Sequence, residues 1–202
     1  MSIDGRVALK NGHSKWITNE KSRSLVHKLR ADFDAIIIGG NTLRRDNPIL
    51  TTRGLKKIEP LRVVFTRTLD LPAESQLWDT KLSKTLVVYD GSSANEKYLE
   101  RIPSNVSVEK IDSDNPKILS QILASKGCNK VLWECGPELS TAAVKAGCIQ
   151  EYITFIGPKI LGGDNCMNPF SDFGFNSMKD IMNLDLKEIK ILGRDIYLKS
   201  YL

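Results

Sequence analysis

The chain has 202 residues, of which 41% are hydrophobic and 26% charged, a composition that fits one ordinary globular domain with a real core. No run approaches the roughly 18 apolar residues of a membrane span, and the start, Met1 to Lys10, lacks the apolar stretch of a signal peptide, so the expected compartment is the cytoplasm. The net charge of +5 favours anionic partners, but the basic residues are scattered and no nucleic-acid motif accompanies them, so neither nucleic acid nor membrane is expected as a partner. Cys128, Cys135, Cys148 and Cys166 form no Cys-x-x-Cys pair and read as reduced, mostly buried thiols.

In chain order, Ser14 to Asp32 reads as a helix with Thr18 as its N-cap, Glu20 in its first turn and an apolar stripe of Leu25, Val26 and Leu29. Asp34 to Gly40 is an apolar, β-branched run ending in two glycines and reads as a buried strand. Arg62–Phe65 and Leu86–Tyr89 are further strands, and Val106–Ile111 alternates as a fourth. Asn115 and Pro116 open a helix as cap and first residue, and Gly127 ends it. Lys130 to Cys135 is a strand, Gly136-Pro137 starts a helix that Gly147 stops, and Tyr152–Ile156 is a strand again. From Leu184 the pattern becomes a hairpin, with Gly193-Arg194-Asp195 as its turn and Ile196–Tyr201 running back. Strands alternating with helices imply a mostly parallel sheet with helices on both faces, closed by an antiparallel hairpin; ligands then sit at the carboxyl ends of the strands.

Some chemistries are missing. There is no G-x-G-x-x-G fingerprint, and Gly157–Gly163 resembles a phosphate loop without the Lys-Ser/Thr of a Walker motif. The residues of a zinc deaminase are absent, and no metal site is expected. His27 reads as a surface residue and His13 as part of a loop.

Three clusters carry chemistry. Gly12 to Thr18 delivers the Ser14 hydroxyl and the Trp16 indole beside a helix start, either as a capped helix entry or as a lid in which the indole packs on an aromatic ring. Gly39-Gly40-Asn41-Thr42 followed by Asp46 to Arg53 places Thr42 and Asp46 four apart, on one face of any helical turn, while Arg53 offers the planar fork that suits phosphate. Trp133 to Leu139 sets the Glu134 carboxylate at a strand end, next to a helix N-terminus whose N–H groups suit a pyrophosphate.

Taken together, the ordered motifs Ser2-x-Asp4-Gly5-Arg6, Gly12-x-Ser14-x-Trp16-Ile17-Thr18, Leu29-Arg30-Ala31, Asp46-Asn47-Pro48-x-Leu50-Thr51-x-Arg53, Trp133-Glu134-Cys135-Gly136-Pro137-x-Leu139 and Pro158-x-Ile160-Leu161-Gly162-Gly163 resemble the reductase domain of bifunctional riboflavin biosynthesis proteins. The resemblance spans nearly the whole chain. It implies an α/β, dihydrofolate-reductase-like fold over residues 1–202 as a single reductase domain. It also implies reduction of 5-amino-6-(5-phosphoribosylamino)uracil to the 5-phosphoribitylamino product, with NADPH as cofactor. It assigns Ser14, Arg30, Asp46, Leu50, Arg53 and Glu134 to the substrate, and Trp16, Thr42 and Asp46 to the cofactor. Gly136, Pro137, Glu138, Leu139, Ser140, Thr141 and Ala142 match the segment that receives the cofactor phosphates, and Asp46 is the expected catalytic residue.

The resemblance further implies a homodimer and a deaminase partner, which a separate chain could supply. The family's deaminase domain is not seen here, and its first strand is expected to be truncated. Dihydrofolate reductase and a non-catalytic nucleotide-binding or assembly domain are the alternatives.

Overall fold

A computed structural model describes all residues, 1–202, and divides them into two compact units. The first comprises Met1–Val26 and Ser140–Leu202, the second His27–Leu139.

The second unit is built on a parallel sheet of five strands, β1 (Ala35–Gly39), β2 (Leu61–Thr66), β3 (Thr85–Asp90), β4 (Ser107–Ile111) and β5 (Val131–Trp133), in the order β4-β3-β2-β1-β5. The near-continuous aliphatic runs follow from burial on both faces. Ala35, Ile37, Val63, Phe65, Leu86 and Val88 face one way and pack against Leu119 and Leu123. Those two leucines belong to α3 (Pro116–Ser125), which opens as expected, with the Asn115 side chain accepting from Lys117 N. The other face, with Ile36, Ile38, Val64 and Val87, packs against Leu43, Leu50, Leu69, Leu71 and Leu77. Leu43 comes from the short helix α2 (Gly40–Asp46), which follows β1 directly. Gly40 sits in a crowded place: a Cβ there would lie 3.0 Å from Thr66 Oγ1 and 3.3 Å from Leu71 Cδ2, so these side chains would have to give by a few tenths of an ångström.

The first unit holds a three-stranded antiparallel sheet of β6 (Glu151–Ile156), β7 (Asp185–Leu192) and β8 (Asp195–Tyr201), in the order β6-β8-β7. The expected hairpin is present, with Gly193 at φ 70°, but it joins β6 in a sheet of its own instead of finishing the parallel one. Met1 and Ser2 pair with the end of β6, where Gly157 N donates to Met1 O at 2.8 Å and Ser2 bridges Gly157 in parallel.

Two helices cross the division, α1 (Glu20–Ala31) and α4 (Pro137–Lys145). The start of α1 differs from the expectation. Residues 15–18 are turn and bend, and Asn19 takes the capping place foreseen for Thr18 by accepting from Ser22 N at 3.1 Å. Asn19 is itself fixed by Asp195, whose carboxylate accepts from Asn19 N at 2.7 Å and from the buried Ser22 hydroxyl. No helix is long and apolar enough to cross a membrane.

Candidate functional site

The chain runs outward from β1 through β2 and β3 to β4, then returns to place β5 on the other side of β1. Strand order therefore reverses between β1 and β5, and the loops leaving their carboxyl ends diverge, which is where open α/β sheets bind ligands. Gly39-Gly40 leaves β1, and Glu134-Cys135-Gly136 leaves β5. Glu134 N still donates to Ile37 O at 2.9 Å, so the ladder sets the carboxylate at the lip of this crevice.

Arg30 meets Glu134 there in a bidentate pair, Nε to Oε1 at 2.7 Å and Nη2 to Oε2 at 2.8 Å, with side chains 12% and 24% exposed. The remaining Arg30 nitrogen, Nη1, donates to Thr51 O at 3.1 Å. Half-burial, charge and double hydrogen bonding make this a stiff group of fixed orientation. Arg30 thus spends its fork inside the protein, on Glu134 and the Thr51 carbonyl, and that accounts better for its place near the end of α1 than complementing the helix dipole. Each Glu134 oxygen keeps a further lone pair for a ligand N–H.

Thr51 belongs to a loop in which Leu50 and Arg53 both adopt φ 56°, the left-handed region that L side chains avoid. The Leu50 side chain is buried in the core, which leaves its backbone for any ligand contact. Thr52 is tied down by Glu59, which accepts from Thr52 N and from its hydroxyl, each at 2.7 Å. Arg53 is exposed, and its charge reaches His27, as do those of Arg30 and Glu134.

Across the crevice, Thr42 and Asp46 lie on the same face of α2, as their spacing of four requires. The hydroxyl of Thr42 would lie 3.9 Å from a Cβ built on Gly136, and nothing else would come within 4 Å. The backbone entering α4 is therefore open. Pro137 needs no hydrogen-bond acceptor, and the N–H groups of Glu138 and Leu139 stand in the first turn of the helix. Asp46, in the last turn of α2, is exposed. Burial drives the Cys135 thiol upward in pKa, with the Glu134 charge adding to it, so this cysteine is a neutral wall group.

Ser14, Trp16, Ser140, Thr141 and Ala142 lie in the first unit. Trp16 is 59% exposed, with the Arg23 guanidinium 4.2 Å from its ring centre. The buried Thr141 hydroxyl accepts from Ser171 N at 2.8 Å. The Gly157–Gly163 loop directs its amides at Asp4, whose carboxylate accepts from Gly162 N at 2.7 Å and Leu161 N at 3.2 Å. Hydrogen bonds from the Ser2 side chain and then from Gly162 lower the Asp4 pKa to about 2, so the loop's anion is built in. A separate cavity of about 190 Å³ in this unit is lined by apolar groups including Tyr152, Phe170, Phe173 and Met182, and offers no catalytic side chain.

His27, a surface residue by sequence pattern, has a place in this network instead. It lies three positions before Arg30 on α1, on the same face, and its ring makes the same Thr51 contact.

A parallel sheet with a charged crevice at its switch point defines an α/β ligand-binding domain of enzymatic type. The chain belongs to the RibD C-terminal domain family, whose model matches residues 1–198. It is 39% identical over 204 residues to the riboflavin biosynthesis protein RibD of Synechocystis, covering 100% of this chain and 55% of that protein. Among solved structures, RibD of Acinetobacter baumannii superposes with a TM-score of 0.82 at 28% identity, over 99% of this chain and 55% of the other. A Thermotoga maritima protein titled diaminohydroxyphosphoribosylaminopyrimidine deaminase/5-amino-6-(5-phosphoribosylamino)uracil reductase has the same fold, with a TM-score of 0.82 at 23% identity, over 99% of this chain and 54% of that one. The chain spans about half the length of these relatives. The expected likeness to a riboflavin biosynthesis reductase domain, and the expected α/β class, are thereby shown.

Proposed function

We propose that this domain reduces 5-amino-6-(5-phosphoribosylamino)uracil to 5-amino-6-(5-phosphoribitylamino)uracil with NADPH. Family membership supports a reductase. The observation that carries the substrate class is the crevice: one carboxylate held open for N–H donors, and one exposed arginine on the adjoining loop.

The substrate's sugar is joined to the pyrimidine through nitrogen at its anomeric carbon. Opening of the sugar ring leaves a C=N bond there, and addition of hydride to carbon with a proton to nitrogen gives the open ribityl chain. Bound NADPH would supply that hydride. The N-terminus of α4, from Gly136 through Ala142, would receive its phosphates, a role that free N–H groups and the helix dipole suit. Thr42 and Trp16 would border the rest of the cofactor.

Glu134 would accept from pyrimidine N–H groups, its carboxylate oriented by Arg30. Arg53 takes the phosphate in preference to Arg30, whose fork is already occupied. Leu50 contributes backbone, Ser14 a hydroxyl, and Asp46 the proton or a grip on the sugar hydroxyls. We further propose a homodimer, for which the exposed aliphatic side of β7 is the support.

The test is NADPH oxidation with the deaminated phosphoribosyl substrate. Asp46→Asn should lower kcat, and an unchanged kcat/KM would remove Asp46 from the reaction. Arg53→Ala should act mainly on KM, weakening substrate binding by about 2–4 kcal/mol where the phosphate contact is desolvated. An unaltered KM would refute the phosphate role, and turnover of dihydrofolate in place of the pyrimidine would overturn the whole reading.

A further inference from the structure

The loop after α2 is strained. Asn47, Leu50 and Arg53 have φ 39°, 56° and 56°, three L-residues in the left-handed region within seven positions. Such backbone persists only where its surroundings over-determine it. On one side the holding groups are the Glu59 oxygens on Thr52. On the other they converge on a single carbonyl, Thr51 O, approached by Arg30 Nη1 at 3.1 Å and by His27 Nδ1 at 3.0 Å.

That carbonyl can only accept. Nδ1 of His27 therefore carries the ring hydrogen, and Nε2 is left as a bare acceptor. A second contact, Arg30 Nη1 to the same Nδ1, is longer at 3.4 Å and would demand the opposite tautomer; the shorter contact decides. The surroundings disfavour the charged ring. Burial lowers its pKa first, the Arg30 and Arg53 charges lower it further, and the Thr51 hydrogen bond and Glu134 oppose them.

We propose that His27 is a positioning residue: as an Nδ1–H donor to the Thr51 carbonyl, it fixes the strained loop that presents Arg53 to an anionic ligand group. The proposal rests on the reading of Arg53 as the phosphate contact for its functional half, and on the hydrogen bonding alone for its structural half. Arg30 cannot replace it, because its orientation is spent on Glu134. With His27 removed, the carbonyl keeps one donor, the loop can relax toward negative φ, and the Arg53 guanidinium loses its fixed origin.

The experiment compares His27→Ala, His27→Asn and His27→Gln. Asn places an N–H donor near the position of Nδ1, whereas Gln carries its donor farther out, near that of Nε2. Ribose 5-phosphate is the binding probe, followed by calorimetry, and amide hydrogen exchange is read at Thr52, Arg53 and Gly54. His27→Ala and His27→Gln should weaken probe binding about tenfold, the loss of one well-placed hydrogen bond. They should also speed exchange in the loop, while His27→Asn stays near wild type in both. In NADPH turnover the same variants should raise KM with little change in kcat.

Unchanged loop exchange and probe affinity in His27→Ala would overturn the proposal. So would equal weakening by Ala and Asn, which would mean that ring volume, not the hydrogen bond, matters. If wild type fails to bind the probe, the anion role of Arg53 falls, and the exchange measurement alone decides whether His27 holds the loop.

Discussion

Arg62 is completely buried in β2, yet it meets no carboxylate. Its guanidinium donates instead to main-chain carbonyls: Leu77 at 3.0 Å, Asp79 at 2.8 Å and Ser83 at 2.6 Å, with Ile49 at 3.3 Å. Burial lowers its pKa, but an arginine begins so high that it stays charged. One side chain thus gathers the Gln76–Trp78 turn, the chain before β3 and the loop after α2. Arg62→Met keeps the length and removes every donor, leaving buried carbonyls unpaired, and should cost ~3 kcal/mol or more. Chemical denaturation would measure it, and a loss under about 1 kcal/mol would show that water or neighbours satisfy those carbonyls instead. The strand pattern does not mark this arginine as a structural one, because burial is a property of the fold. The run Arg62-Val-Val-Phe shows only that it starts a strand. His27 was hidden for the same reason, since its partner is a main-chain carbonyl, and carbonyls leave no mark in sequence. Motif order marks Glu134 and Arg53 as candidates, whereas the Arg30–Glu134 pairing, 104 residues apart, leaves no such mark.

Elements were far more legible than contacts, and the reason is local. β1, β2 and β3 announce themselves as short β-branched runs because both faces are buried. α3 and α4 stop where Gly127 and Gly147 take φ 85° and 68°, with Cys128 N and Cys148 N reaching back to Leu123 O and Ala143 O. What sequence pattern missed was helix α2, too short to show a period, and the true start of α1, which is fixed by Asp195 from 176 positions away. Pairing between elements leaves a similar long-range trace at Asp34. Its carboxylate accepts from Asn129 N and Lys130 N, both at 2.9 Å, joining the start of β1 to the entry of β5. The Lys130 hydrogen bond, above all, lowers its pKa. A carboxyl whose folded pKa is depressed contributes stability that is present above its unfolded value and is lost as pH falls through the folded one. Asp34→Asn should therefore flatten the acid limb of a melting-temperature profile below about pH 4. At neutral pH the cost should be modest, about 1 kcal/mol, because the side chain keeps access to water. A variant whose acid limb matches wild type would show that other carboxylates set the acid sensitivity.

At the scale of the whole molecule, the side of β7 left uncovered is the feature that one copy of the chain does not explain. Strand register puts Leu186, Ile189 and Ile191 on one side of the antiparallel sheet, opposite Ser200, Leu198 and Ile196. These three are 49%, 59% and 69% exposed. The charges of the strand lie on the reverse side, where Glu188 and Lys190 pair at 2.6 Å and stand opposite Lys199 and Tyr197. A strand that is aliphatic on one side and charged on the other is patterned to bury the aliphatic side. Exposed Leu184 and Met182 extend the same apolar surface along the chain before β7. A second copy suits it: packed aliphatic side to aliphatic side around a two-fold axis near Ile189, each chain would cover the other's Leu186, Ile189 and Ile191. Replacing Ile189 and Ile191 together with lysine would set four like charges in that contact. The variant should sediment at half the wild-type mass while keeping its circular dichroism, since neither side chain supports the core. A wild-type chain that is monomeric at tens of micromolar, or a double variant of unchanged mass, would show that this aliphatic surface serves some other partner.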